Sequence, residues 1–96
     1  MYGTVARFQV KPGMAEALEQ LGRDMAADPS PGFVARYVYR MDNNPDEFYV
    51  AVMYESREAY FANANSPEQH EQFLEMMELL AAEPEWHDGE VVFPAE

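Results

Sequence analysis

Hydrophobic and polar positions alternate along the first residues of the chain, and the alternation predicts a strand over residues 3–10 (GTVARFQV). One face of this strand consists of Thr4, Ala6, Phe8 and Val10. Two further runs, residues 33–41 (FVARYVYRM) and residues 47–54 (EFYVAVMY), are rich in aromatic and β-branched residues. The turn-forming residues 42–46 (DNNPD) between them predict that the two strands pair as an antiparallel hairpin.

Hydrophobic residues recur at helical spacing between the first two strands. A helix is predicted over residues 14–27, with its hydrophobic stripe formed by Met14, Leu18, Leu21 and Met25. Two prolines and a glycine within residues 28–32 (DPSPG) end this helix in a turn.

A second helical region follows the hairpin, and two helix-capping signals divide it. Ser56 is suited to cap a helix that begins at Arg57, and the sequence Ser66-Pro67-Glu68-Gln69 repeats the signal, so a break is expected near Asn65-Ser66. The longer segment places one stripe toward the sheet, namely His70, Phe73, Met77 and Leu80. A last strand is predicted over residues 86–93 (WHDGEVVF).

The predicted order is β-α-β-β-α-β within a single domain of residues 1–96. This order is typical of the ferredoxin-like α+β fold, in which a four-stranded antiparallel sheet carries both helices on one face. Strict alternation would place on the uncovered face the residues Val5, Val34, Val38, Arg7, Arg36 and Arg40. Because exposed apolar area of this kind usually finds a partner, we expect an isologous homodimer formed face to face.

Charge and composition narrow the classes of function. Six Lys and Arg stand against eighteen Asp and Glu, which gives a formal net charge of −12 at pH 7 and argues against nucleic-acid and membrane-surface partners. The chain has no cysteine, so it has neither a disulfide framework nor a thiolate metal site. The residues at the N-terminus lack the layout of a signal peptide, and we expect a cytoplasmic protein.

Several segments resemble a known family. They are Lys11-Pro12-Gly13 before the first helix, Pro31-Gly32-Phe33 at the second strand, and the run Tyr54 to Tyr60 (YESREAY) followed by Ser66-Pro67. In order and spacing they resemble the antibiotic biosynthesis monooxygenase domain, over essentially the whole chain. The resemblance implies a dimeric α/β barrel with one ligand cleft per subunit between sheet and helices. The family includes cofactor-independent oxygenases of phenolic polyketides, quinol monooxygenases and haem-degrading enzymes.

The chain departs from the family pattern at three positions. Members often carry a histidine where this chain has Asn63. In the haem-degrading branch a tryptophan stands there, the axial histidine stands at the position of Phe73, and an asparagine stands at the position of Ala6. Phe73 cannot ligate iron. The resemblance therefore favours chemistry without a bound cofactor.

The function expected on this basis is a small cofactor-independent monooxygenase acting on an aromatic, quinol or polyketide-type compound. Such chemistry needs a base, a hydrogen-bonding group for a developing oxyanion and an apolar cavity. His70 is the candidate base, although a hydrogen-bonded or solvated histidine at the rim fits the same position. Asn63 is the candidate for orienting a substrate oxygen, and its alternative role is to satisfy backbone groups at the break near Ser66.

An aromatic wall for a flat ligand is predicted from Phe8, Phe33, Tyr37 and Tyr39, with Phe73 and Trp86 as further contacts and Tyr37 as a proton partner. The same aromatic residues would also serve as ordinary core, and Trp86 would also suit a dimer interface. No metal site is expected. Glu85, His87 and Asp88 stand close in sequence, but the first two point to one side of a strand and the third to the other.

The strand arginines leave two interpretations open. In the first, they bind an anionic ligand inside the barrel. In the second, they pair with strand carboxylates such as Glu47, Glu55 and Glu90. We favour the second interpretation because buried charges need partners.

The function also has alternatives. One is a non-catalytic ligand-binding or structural dimer on the same scaffold, and another is haem binding through His70 or His87.

Overall fold

The computed structural model describes residues 1–27 and 29–94 of the chain. Its elements are β1 (Tyr2–Gln9), α1 (Ala15–Ala27), β2 (Phe33–Met41), β3 (Asn44–Tyr54), α2 (Arg57–Ala64), α3 (Pro67–Leu79) and β4 (Glu85–Glu90). Asp28, which belongs to the predicted turn, and the two C-terminal residues lie outside the described part. The observed order confirms the predicted one, with the second helical region divided into α2 and α3.

The four strands form one antiparallel sheet in the order β2-β3-β1-β4. This arrangement confirms the ferredoxin-like α+β fold. The core lies between one sheet face and the helices, and its buried members are Ala6, Phe8, Val10, Ala15, Leu18, Phe48, Val50, Met76 and Leu80. Phe48 at its centre is fully buried.

Two serine caps separate α2 from α3. Ser56 Oγ accepts a hydrogen bond from the Ala59 amide at 3.0 Å, and Ser66 Oγ accepts one from the Gln69 amide at 3.2 Å. Ser66 Oγ also donates to the carbonyl of Asn63 at 2.8 Å. The break therefore occurs where the sequence predicts it, and it fixes the backbone of Asn63.

Two strand boundaries differ from the prediction by three residues, and the start and end of β1 and the start of β4 differ by one. β3 begins at Asn44 because the hairpin turn is confined to residues 42 and 43. β4 ends at Glu90, although the pattern predicts strand as far as residue 93. The last backbone pairing beyond β4 is the hydrogen bond from the Val91 amide to the Met1 carbonyl at 2.8 Å.

A bulge at the start of β2 reverses the predicted facing of that strand. Phe33 pairs with Tyr54, but Ala35 pairs with Met53, so Val34 is an extra residue on the β2 side. An extra residue shifts every later side chain to the opposite face. The alternation rule is therefore correct for Phe33 and wrong for residues 35–40.

The corrected facing places Tyr37 and Tyr39 on the face away from the helices, where they pair with Ala51 and Tyr49. The prediction that these tyrosines line a ligand wall is wrong in its placement. Arg36, Val38 and Arg40 pair with Val52, Val50 and Phe48 and so lie on the helix side, which corrects their predicted place on the uncovered face. Val5 and Arg7 lie on the uncovered face, as predicted.

None of the helices in the described residues is both long and apolar enough to cross a membrane.

Gly3 lies at a close backbone contact between β1 and β3 that leaves no space for a side chain. A methyl group at this position would overlap the carbonyl oxygen of Val52, a backbone atom that cannot rotate away. We expect Gly3→Ala to lower the free energy of unfolding by about 1–3 kcal/mol. Urea denaturation followed by circular dichroism measures the change.

Gly89 provides the matched control because it pairs with Gly3 across β1 and β4. A methyl group there meets no atom within 4 Å. Gly89→Ala should change stability by less than about 0.5 kcal/mol. Equal effects of the two substitutions would contradict the steric explanation.

Candidate functional site

A cavity of about 420 Å³ lies between the sheet and the three helices. Its volume is within the range of small-molecule sites, roughly 300–1,000 Å³. The strands supply its floor, while the helices supply its walls, chiefly Leu18, Leu21, Met25, Phe73 and Met76. Most of its lining is apolar, so the cavity suits a hydrophobic ligand.

The floor consists of two rows of side chains that cross the sheet from β2 to β4. One row is apolar and consists of Val38, Val50, Ala6 and Trp86. The adjacent row consists of Arg36, Val52, Thr4 and Asp88. Because the central positions are small, they leave open space between a cation on one edge strand and a carboxylate on the other.

His70 and Asn63, the two candidate polar groups, both line this cavity. His70 is an exposed residue at the mouth, and its ring makes no hydrogen bond within the described residues. The side-chain amide of Asn63 donates to Gln69 Oε1 at 3.3 Å, a long hydrogen bond. Its backbone carbonyl accepts from Ser66, so Asn63 serves the helix break through its backbone and lines the cavity with its side chain.

Three of the predicted aromatic contacts line the cavity. They are Phe8, Phe73 and Trp86. The ring centroid of Trp86 lies 5.5 Å from that of Phe8 and 6.4 Å from that of Phe73. Trp86 thus joins the cavity wall in this chain, and the apolar row ends on an aromatic surface.

Phe33 lines an adjacent cavity of about 450 Å³ rather than the first one. This second cavity lies between the residues that precede β2 and helices α2 and α3. Six residues line both cavities, namely Met25, Arg36, Tyr54, Asn63, Gln69 and Gln72. The polar groups of Arg36 and Asn63 therefore border both spaces.

Tyr60 and Asp88 form a hydrogen-bonded pair at the β4 edge of the cavity. The Tyr60 hydroxyl donates to Asp88 Oδ1 at 2.8 Å. Burial, reinforced by the bond to Asp88, raises the pKa of Tyr60 well above its ordinary value. Tyr60 is therefore a neutral hydrogen-bond donor at physiological pH. Asp88 Oδ1 accepts its hydrogen bond.

Arg36 is the cation on the β2 edge of the cavity. Its Nη1 atom is buried and has no hydrogen-bond partner within the described residues. The guanidinium carbon lies 5.4 Å from the centroid of the Phe33 ring. Burial lowers the pKa of Arg36 from its ordinary value.

The other two strand arginines are paired with carboxylates. Arg7 contacts Glu47 at 2.5 Å and Glu85 at 2.7 Å, which confirms the predicted pairing with Glu47. Arg40 lies 3.7 Å from Glu16 and 3.4 Å from Glu19, so its partners come from α1 and not from a strand.

Glu85, His87 and Asp88 do not converge. Glu85 and His87 pair with Arg7 and Val5 on the uncovered face, while Asp88 pairs with Thr4 on the helix side. In residues 1–27 and 29–94 no group of three potential metal ligands comes together.

Sequence alternation places Arg36 on the uncovered face, although binding of an anionic ligand is one of the two interpretations of the strand arginines. The sequence pattern gives no role for Tyr60, and it suggests Asp88 only as a metal ligand. The β2 bulge reverses the facing of Arg36, and alternation cannot reveal a bulge. Tyr60 lies in a helix with weak amphipathicity, so its inward direction has no periodic signal.

The fold and the cavity define a ferredoxin-like chain with a ligand-sized space between sheet and helices. The statistical model of the antibiotic biosynthesis monooxygenase family matches residues 1–76. The chain therefore belongs to the antibiotic biosynthesis monooxygenase family. No curated protein matches it at a significant level.

Solved structures share the fold at low sequence identity. SnoaB, a cofactor-independent oxygenase from Streptomyces nogalater, superposes with a TM-score of 0.85 at 18% identity over 97% of this chain and 94% of its own. A candidate antibiotic biosynthesis monooxygenase from Chloroflexus aurantiacus superposes with a TM-score of 0.82 at 23% identity, over 99% of this chain and 96% of its own. A conserved protein from Methanosarcina mazei superposes with a TM-score of 0.82 at 21% identity, over 92% of this chain and 89% of its own. Identities this low establish the shared fold alone.

The raised pKa of Tyr60 predicts a loss of stability in alkali. An unfolded tyrosine titrates near pH 10, so above that pH the unfolded chain releases a proton that the folded chain retains. The free energy of unfolding therefore falls as the pH rises past about 10. Tyr60→Phe has no such proton, and we expect a shallower fall in urea unfolding measured from about pH 9 to 11.

Asp88→Asn separates the two causes of the raised pKa. Burial is the larger cause and persists in this variant, so most of the alkaline loss of stability should remain. If the free energy of unfolding of the natural chain and of Tyr60→Phe falls equally with pH, the Tyr60 hydroxyl has an ordinary pKa and the prediction is wrong.

Proposed function

We propose that this chain is a cofactor-independent monooxygenase of an aromatic, quinol- or polyketide-type compound, organised as a single domain of residues 1–96. The observation that carries the proposal is an open, largely apolar cavity with His70 and Asn63 in its lining. A cavity filled by its own side chains would instead have favoured a non-catalytic scaffold. Met77 does not line the cavity and Tyr37 faces the other way, which leaves space for a ligand.

The reaction takes its electrons from the substrate. A phenolic compound with an acidic CH₂ group loses a proton to a base, and the resulting anion reacts with O₂. One oxygen atom becomes the carbonyl oxygen of the product, and the other leaves as water with the two hydrogens of the CH₂ group. The protein contributes proton transfer, charge stabilisation and shielding from bulk water.

His70 is the base in this proposal because its imidazole lines the cavity and histidine is the commonest general base in enzymes. Its place at the mouth gives it access both to the ligand and to the solvent that removes the proton. Asn63 keeps an amide N–H beyond its bond to Gln69, and this donor would stabilise the developing oxyanion. Phe8, Phe73 and Trp86 would hold the ring system by stacking.

Alanine substitutions test these two roles with 1,8-dihydroxyanthrone as the substrate probe. We expect the natural chain to accelerate its conversion to the anthraquinone above the spontaneous rate. His70→Ala and Asn63→Ala should each reduce kcat on the order of 100-fold, because each removes a group that acts in the transition state. Oxygen uptake and product absorbance measure the rates.

Glu71→Ala is the matched control, since Glu71 is an exposed neighbour of His70 outside the cavity lining. Its rate should equal that of the natural chain. Full activity in both His70→Ala and Asn63→Ala would rule out the assigned roles. No acceleration by the natural chain would favour a non-catalytic ligand-binding role.

The uncovered sheet face supports a homodimer as the second part of this proposal. Val5, Tyr37 and Tyr39 are 50%, 54% and 53% exposed in the isolated chain. They lie on one face of three adjacent strands together with Ala51 and Met53. A contiguous apolar patch of this kind favours packing against a second copy, and an isologous contact uses the same patch on both subunits.

Tyr37→Glu tests this interface by placing a charge at its centre. A buried, unpaired carboxylate is strongly unfavourable, so the variant should have the mass of a monomer. Leu74→Glu is the control, because Leu74 is 52% exposed but lies on α3, on the opposite side of the sheet. Sedimentation equilibrium should show a dimer for Leu74→Glu, and a dimer for Tyr37→Glu would place the interface elsewhere.

A further inference from the structure

Arg36 differs from the other arginines of the sheet. Arg7 and Arg40 each have two carboxylate partners, whereas Arg36 makes neither an ion pair nor a side-chain hydrogen bond with any described residue. Its guanidinium lies over the Phe33 ring, and Tyr54 also interacts favourably with its charge. Within residues 1–27 and 29–94, a cation without a carboxylate partner thus lies at the boundary of two cavities.

Such a placement is unfavourable for stability. Removing the Nη1 atom of this half-buried guanidinium from water without a hydrogen-bond partner costs free energy that a cation–π contact offsets only in part. A methionine of similar length would fill the same space without this penalty. The arginine is therefore better explained by a ligand than by the fold.

We propose that Arg36 binds the carboxylate of an aromatic acid whose rings occupy the cavity. The planar guanidinium presents parallel N–H groups that match the two oxygens of a carboxylate. The proposal rests on the proposed function for the reaction and refines it by giving the substrate a negative charge. The binding itself does not depend on oxygen or on catalysis.

The charges around the cavity fix the orientation of this ligand. Asp88 lies at the other end of the same row, on β4, and would repel a carboxylate there. Arg36 and Asp88 are separated by three strand spacings, about 14 Å at the backbone. Rings that extend from Arg36 over Val52 and Thr4 would reach the aromatic surface of Trp86. Glu68 is exposed and lines only the second cavity.

A matched pair of probes isolates the contribution of the charge. 2-Naphthoate carries a carboxylate, and 2-naphthamide has the same rings and shape without the charge. Trp86 is the only tryptophan of the chain and lines the cavity, so its fluorescence reports binding of either probe. Isothermal titration calorimetry provides a second readout of both affinities.

We expect the natural chain to bind 2-naphthoate at least tenfold more tightly than 2-naphthamide. Arg36→Met should lower the affinity for 2-naphthoate by about 10- to 100-fold, the usual range for a hydrogen bond to a charged group. Its affinity for 2-naphthamide should stay within about twofold of that of the natural chain. Arg36→Lys keeps the charge but loses the parallel N–H groups of the guanidinium. Its affinity for 2-naphthoate should therefore lie between those of the natural chain and Arg36→Met.

Thermal unfolding distinguishes a ligand-binding role from a structural one. If Arg36 is present for a ligand, Arg36→Met should unfold at the same temperature as the natural chain or higher. A lower unfolding temperature together with equal losses for both probes would assign Arg36 to the fold and overturn the proposal. Failure of the natural chain to prefer 2-naphthoate would overturn it as well, whereas absence of oxygen uptake affects only the proposed reaction.

Discussion

The extra residue in β2 is the feature on which the rest of this structure depends. Because Val34 has no partner on β3, the side chains that follow it exchange faces. Arg36 and Val38 consequently line the cavity, while Tyr37 and Tyr39 cover the open face of the sheet. One backbone irregularity thus supplies both the charge of the proposed ligand site and the apolar patch of the proposed dimer.

The sheet divides into a packed end and an open end. The packed end contains the fully buried Phe48, and there Val10 pairs with Leu80 beyond α3. The open end has small floor residues, Thr4, Ala6 and Val52, under the break between α2 and α3. Large side chains fix the fold at one end, and small ones leave room for a ligand at the other. This separation lets the site tolerate an unpaired charge without loosening the core.

Local patterns in the sequence predict the elements and the helix break, because capping serines and periodic apolar residues act over a few neighbouring positions. Ser56 and Ser66 cap helices where expected, and the two-residue periodicity of β1 is correct throughout. The facing of β2 could not be predicted, since a bulge depends on pairing with β3. Tyr60 and Asp88 meet only after α2 packs on β1 and β3, so their contact depends on tertiary structure and has no signal in sequence spacing.

The net charge of −12 and the proposed preference for an acid are compatible because they act over different distances. The repulsion between the acidic surface and an approaching anion is long-range, and salt screens it over about 8 Å at physiological ionic strength. The contact at Arg36 is short-range and partly desolvated, so salt screens it much less. Surface charge would therefore slow the approach of an aromatic acid, while the half-buried guanidinium of Arg36 would determine how long it stays. In the proposed complex the selectivity for charge depends on Arg36, which has no carboxylate partner among the described residues, and not on the field of the whole molecule.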